Sequence, residues 1–211
     1  MNYKSILDFA AIQLQAIIES ADGIKIETED FGWSNTRFVG GTFRMAHIER
    51  YSDKNLEVLH FTCFPLPTLP NSIFGFDIIT TDKRPLAAFA DWSQVCESSP
   101  MYIFTDSFEK PYPLPDWAKR IFSHTALAII PNDNEMDKLI SAVIKSFDIY
   151  VDDLYNSEHK PDQVENIVAG QNRYCENQQK NERTFNVLKA KLGEERARHF
   201  MTEILFPNIK L

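Results

Sequence analysis

The sequence predicts an α/β fold in which an antiparallel meander of strands is flanked by helices. Three observations carry this. Within residues 43–64, Phe43, Met45, His47, Glu49 and Tyr51 share one parity and Leu56, Val58, His60, Thr62 and Phe64 another, each set apolar except for its ionisable members, which is the two-residue period of strands. Short polar links lead on to two further apolar runs, and consecutive strands with short links must run antiparallel. Apolar residues also recur every three or four positions in 3–20, 134–150 and 164–205, the spacing of amphipathic helices.

Taken in order, Ile6, Phe9, Ala10, Leu14, Ile17 and Ile18 make residues 3–20 a helix that ends at Asp22-Gly23 and covers one face of a sheet. Residues 24–43 are mixed, with Gly32, Gly40 and Gly41 marking short strands. The paired parity sets then form a hairpin through Ser52-Asp53-Lys54-Asn55. With the turn centred on Asp53 and Lys54, His47 faces His60 and Glu49 faces Val58, about 5 Å apart at Cβ. Prolines at 65, 67 and 70 make the next stretch a loop. A third strand covers 73–80, with Ile73, Gly75, Asp77 and Ile79 on one face, and a fourth covers 86–92 after the turn Thr81-Asp82-Lys83-Arg84.

Residues 97–115 read as irregular, 116–122 as a short helical turn and 125–130 as another strand. Helix 134–150 carries Met136, Leu139, Ile140, Val143, Ile144 and Phe147 on its apolar face. The last helical stretch breaks near Gly193, and one of its stripes runs Tyr174, Gln178, Asn181, Phe185, Leu188 and Leu192. Polar groups on an inward stripe need partners from protein, water or ligand.

At 211 residues the chain is read as one domain, residues 1–211, large enough to bury a real core. Its net charge of -8 argues against nucleic acid or an anionic membrane as the main partner. The odd set Cys63, Cys96 and Cys175 lacks close spacing and suggests reduced thiols rather than disulfides or a zinc site. No signal peptide or membrane span is read from the sequence.

The ionisable residues His47, Glu49, His60 and Asp77 stand out against this apolar background. A lone histidine on an apolar strand is more often a hydrogen-bonded core residue. Histidines facing one another beside Glu49, with Asp77 on the next strand, favour a site that handles protons. Asp91 on the fourth strand reads as structural.

Several blocks resemble the ferredoxin-dependent bilin reductases: Phe43-Arg44-Met45-Ala46-His47-Ile48-Glu49, Val58-Leu59-His60-Phe61-Thr62-Cys63-Phe64-Pro65, Phe74-Gly75-Phe76-Asp77-Ile78-Ile79, and Gln179-Lys180-Asn181-Glu182-Arg183-Thr184 followed by Leu205-Phe206-Pro207. They stand in the family's order. The resemblance implies a three-layer α/β/α sandwich with a central antiparallel sheet, the bilin lying between the sheet and the C-terminal helices. It implies reduction of biliverdin IXα by single electrons from an acidic [2Fe-2S] ferredoxin docking on a local basic patch, with no permanently bound cofactor and no metal.

Residue by residue, the resemblance makes Asp77 the central proton donor and His60 its partner. His47 and Glu49 match the branch resembling phycocyanobilin:ferredoxin oxidoreductase, as a second protonation site. Glu182 stands where the family commonly has an aspartate, and Tyr174, Gln178, Asn181 and Arg183 are candidate substrate contacts. The basic residues Lys180, Arg183, Lys189, Lys191, Arg196 and Arg198 are the candidate ferredoxin patch. Retention of His47, Glu49 and His60 points to phycocyanobilin. Glu182 and a compactness like that of virus-encoded members point to phycoerythrobilin, which is slightly favoured. A non-reducing bilin carrier or lyase-like chaperone is the competing expectation. A monomer in the cytoplasm of a cyanobacterial or virus-infected cell completes the reading.

Overall fold

A computed structural model of the protein describes residues 1–114 and 118–210. Helix α1 (Tyr3–Ser20) leads into seven strands: β1 (Ile24–Ile26), β2 (Ser34–Val39), β3 (Phe43–Ser52), β4 (Glu57–Pro65), β5 (Ile73–Thr80), β6 (Pro85–Ser93) and β7 (Leu127–Ile129). Helices α2 (Met136–Asn156), α3 (Val164–Gln179), α4 (Glu182–Leu192) and α5 (Glu194–His199) follow, and a π-helical segment, Phe200–Leu205, closes the chain's last turn. The strands pair in sequence order, every pair antiparallel, so the sheet is one continuous meander.

The two faces of the sheet bury different helices. Strand residues Phe38, Ala46, Ile48, Leu59, Phe61, Phe74, Phe76 and Ile78 pack against α1 and α2. Met45, Phe64 and Ile73 face the opposite way, toward α3, α4, α5 and the π-helical segment. The result is the expected α/β/α sandwich.

On α1 the buried set is Tyr3, Leu7, Ala10, Leu14 and Ile18, one stripe of the helix, and full burial stabilises by about 1.5–3 kcal/mol for each of the larger aliphatic side chains. Asn2 caps this helix by accepting from the Ser5 amide at 3.2 Å. Helix α2 is fixed by polar contacts as well as by Phe147: the Tyr150 hydroxyl bonds the Ser72 carbonyl oxygen at 2.8 Å, and the Trp92 indole donates to Ser146 Oγ at 3.1 Å. This packed back layer makes the sheet a rigid platform for its other face.

The hairpin register differs from the expected one. Glu49 pairs with His60, His47 with Thr62 and Tyr51 with Val58, a shift of two residues. Asp53 is the cause. Its carboxylate accepts from the amides of Asn55 and Leu56, and its own amide bonds the Leu56 carbonyl oxygen. That Asx turn makes Asp53 the first residue of the turn instead of its centre. A two-residue shift preserves parity, so both sets still face the same side.

The C-terminal helical stretch also departs from the reading. It breaks at Lys180–Asn181 as well as at Gly193, because the Asn181 side chain caps α4 by accepting from the Thr184 amide. The single stripe from Tyr174 to Leu192 is therefore cut in two. In the predicted turn 116–122, residues 116 and 117 lie outside the described residues, and 118–120 form one 3-10 turn.

Helix α3 comes close to the chain just beyond β6. A Cβ added at Gly170 would lie 1.9 Å from the Val95 carbonyl oxygen. Gly170→Ala is expected to cost about 3 kcal/mol, at the top of the overpacking range, and to lower the urea midpoint accordingly. An unchanged midpoint would contradict this close approach.

Candidate active site

Hydrogen-bond pairing sets side chains in rows across the sheet, and two such rows hold the ionisable residues. The first runs Asn35, Glu49, His60, Asp77 and Phe89 across β2 to β6. The second, one pleat along, runs Arg37, His47, Thr62, Gly75 and Asp91. Glu49, His60 and Asp77 are therefore direct neighbours on three adjacent strands. His47 stands diagonally from His60, with their rings 6.1 Å apart.

Within the first row, His60 Nδ1 and Asp77 Oδ1 are 2.6 Å apart. Burial disfavours the His60 imidazolium, but the Asp77 charge, its hydrogen bond and the Glu49 charge outweigh it and raise the His60 pKa. A proton is thus held between His60 and Asp77. The Asp77 side chain is 36% exposed, which makes it the accessible member of the pair.

Glu49 is buried, and that burial, reinforced by the Asp77 charge and opposed by His60, pushes its pKa up to about 7. It is a carboxyl that still carries a proton near neutral pH. His47 behaves in the opposite sense: burial, then the positive charges of His60 and Arg37, hold its pKa well below the ordinary value. Its Nε2 is in contact with Asn35 Oδ1.

The C-terminal layer covers the rows with aromatic rings. Phe200, the first residue of the π-helical segment, lies 6.5 Å from the His47 ring, and Phe206 lies 5.9 Å from His60. Tyr174 on α3 stands over Gly75, where an added Cβ would be 3.5 Å from the Tyr174 hydroxyl, and it accepts from Gln178 Nε2 at 3.1 Å. Arg44, at the bulge of β3, donates to Gln171 and to the Pro207 carbonyl oxygen, tying the end of the chain down to the sheet. π-Helical turns inside helical runs are frequently found at functional sites.

Five buried polar atoms on these rows have no hydrogen-bond partner among the described residues: Asn35 Nδ2, Arg37 Nε, His47 Nδ1, His60 Nε2 and Thr62 Oγ1. Each such group costs about 1–3 kcal/mol when left unpaired, so their clustering on one face marks a place where polar atoms of a ligand are expected. Asn35 and Arg37 went unrecognised in the sequence. The signal for them was Gly40-Gly41, which marks a second tight hairpin and sets them opposite Glu49 and His47.

Other candidates fall outside the rows. Glu182 is exposed in the first turn of α4, where a carboxylate is favoured by the helix dipole, and it lines an outer groove with Lys180, Phe185 and Arg198. It does not join the other four acids and histidines. Asn181 spends its side-chain oxygen on the α4 cap, and Arg183 is exposed and donates to the Tyr112 hydroxyl at 2.8 Å. Asp91 accepts from Ser93 and from both the amide and the hydroxyl of Ser123, which suits a structural role. Among the described residues, no group of three or more His, Cys, Asp or Glu has metal-holding geometry, and no helix is long and apolar enough to cross a membrane.

Comparison with known proteins gives one consistent result. The sequence profile of the ferredoxin-dependent bilin reductase family matches residues 2–207. A phycocyanobilin:ferredoxin oxidoreductase from Prochlorococcus marinus is 30% identical over 216 residues, spanning 96% of this chain and 86% of that protein. Among solved structures, PcyX superposes with a TM-score of 0.70 at 21% identity, over 97% of this chain and 99% of that one. Tomato phytochromobilin synthase, in complex with biliverdin, superposes with a TM-score of 0.74 at 16% identity, over 97% of this chain and 83% of that one.

Proposed function

The chain belongs to the ferredoxin-dependent bilin reductases, and on that premise we propose that it reduces biliverdin IXα to a phycobilin at the Glu49–His60–Asp77 row. The observation that carries this assignment is the row itself, a His60–Asp77 hydrogen bond beside a carboxyl with a pKa of about 7, on a sheet face roofed by aromatic rings. Ferredoxin delivers electrons singly, so the bilin passes through radicals and takes up two protons with each pair of electrons. Asp77, the exposed partner, gives the central proton, and His60 replaces it through Nδ1. Glu49 serves the second protonation, with His47 beside it.

Tyr174 and Gln178 lie over the rows and are the proposed contacts to the bilin's flat face and lactam edge. Electrons enter across α4 and α5. Of the basic residues there, Lys189 and Arg198 pair with Glu194 and Lys191 pairs with Asp53, whereas Lys180, Arg183 and Arg196 have no carboxylate partner among the described residues, and Arg196 donates to the Asp30 backbone carbonyl oxygen. The proposed ferredoxin footprint is centred on Lys180 and Arg183 and reaches Arg196, where positive charge remains available to an acidic partner. Phycoerythrobilin is the favoured product and phycocyanobilin the second. Glu182, standing in place of the family's usual aspartate, is turned to solvent at the start of α4, so both protonations fall to acids on the sheet.

One anaerobic assay tests the reading. Biliverdin, the protein, ferredoxin, ferredoxin reductase and NADPH are combined, the visible spectrum is followed and the products are chromatographed. Consumption of biliverdin with a phycobilin as product is expected. An unchanged spectrum after electron delivery, with biliverdin bound, would leave only the non-reducing carrier.

A further inference from the structure

Between the two rows lies a contact that the proton-transfer scheme does not use. Asn35 Oδ1 meets His47 Nε2, while His47 Nδ1 is buried with no partner. Asn35 is itself held from behind, its backbone carbonyl oxygen accepting from Thr28 Oγ1 at 2.8 Å. An amide oxygen can only accept, so the nitrogen facing it must carry the hydrogen, and in a neutral imidazole the other nitrogen is then bare.

We propose that Asn35 is a positioning residue that fixes His47 with its proton on Nε2, so that the bare Nδ1 accepts a hydrogen bond from an N–H group of the tetrapyrrole. This rests on the bilin reductase reading for what His47 touches, but the tautomer itself is a property of the bilin-free protein. The division of labour follows directly. His47 holds the substrate and Glu49, on the same strand, supplies the proton.

The charges around His47 agree with a neutral ring. Arg37 stands beside it on β2 and His60 diagonally on β4, both favouring loss of its proton. Glu49, two residues along β3, shares its face, Thr62 on β4 is uncharged, and the C-terminal layer sets the Phe200 ring 6.5 Å from it. Arg37 has no carboxylate partner among the described residues, and its Nη2 donates to Met45 Sδ at 3.2 Å. Its charge is therefore left to act on His47.

The direct test is nitrogen NMR on protein labelled at histidine, with the His47 signals identified by their loss in His47→Gln. Between pH 6 and 8 the free protein is expected to show His47 neutral, protonated at Nε2 and bare at Nδ1. A proton on Nδ1, or an imidazolium, would overturn the proposal without touching biliverdin reduction. Asn35→Asp should carry the His47 imidazolium to higher pH.

Kinetics supply the second arm. Asn35→Leu should lower turnover on the order of 10-fold, the scale of a lost orienting partner, and should change it less than twofold in a His47→Gln background. Equal losses in both backgrounds would mean that Asn35 does not act through His47.

Discussion

Asp77→Asn is expected to bind biliverdin with an affinity within a few-fold of the parent protein and to lose about 10²–10⁴ in turnover, the range for removing a positioned proton donor. An amide can still sit beside His60 Nδ1, so the geometry survives while the proton held between the two groups does not. The same change removes the main charge that raises His60. Its imidazolium, present in the parent above the ordinary histidine range, should give way to the neutral ring at lower pH. The pair of readouts is diagnostic: a bound bilin spectrum that persists under reduced ferredoxin, and a downward shift of the His60 titration. Turnover at the parent rate would refute the role given to Asp77.

Glu49→Gln is expected to have opposite effects on stability and on activity. A carboxyl whose pKa rises from 4.5 to about 7 on folding holds a proton that the unfolded chain has lost. Between those two values the folded state binds more protons than the unfolded one, so stability falls as pH rises, by roughly 3 kcal/mol in all. The raised His60 contributes in the same direction: its stabilisation is present below its unfolded pKa and fades as pH rises through the folded one. Replacing Glu49 by the neutral amide removes the larger part of this slope. The variant should be more stable than the parent at pH 8 and nearly equal to it at pH 4.5, by urea unfolding. Its turnover should nevertheless fall by about 10² or more, with a partly reduced bilin accumulating. A variant less stable than the parent at pH 8 would show that Glu49 is held as a carboxylate.

The meander and the facing of its side chains were legible because parity needs only local sequence. Phe43 to Tyr51 and Leu56 to Phe64 announce which side chains share a face, and that survives any even shift in pairing. Register was not legible, because it was settled by the Asp53 carboxylate bonding two downstream amides, and the residues alone do not show which turn position that carboxylate takes. The candidate site was read from β3, β4 and β5 and missed on β2, where Asn35 and Arg37 alternate with Thr36 and Phe38 in a strand too short to show a period.

Glu182 was not legible from periodicity at all. The resemblance alone singled it out, and in the structure it opens α4 beside the Asn181 cap with its side chain exposed. The C-terminal roof was equally hidden. Phe200 and Phe206 look like ordinary core residues, and only the π-helical turn, closed by the Phe206 amide bonding the Met201 carbonyl oxygen, brings both rings over the histidines.

The first row has a consequence for how such enzymes diverge. Glu49, His60 and Asp77 project from adjacent strands, so their separations are set by the backbone ladder, about 4.8 Å per strand, and hardly at all by rotamers. The sheet works as graph paper on which acids and bases are plotted. Exchanging one residue type for another at a grid point changes which proton is offered, or whether any is, while the point in space from which it leaves stays fixed. New regiochemistry on a bilin is then a matter of re-inking a few points on an unchanged grid, which places the specificity of this fold in side-chain identity and its precision in main-chain hydrogen bonds.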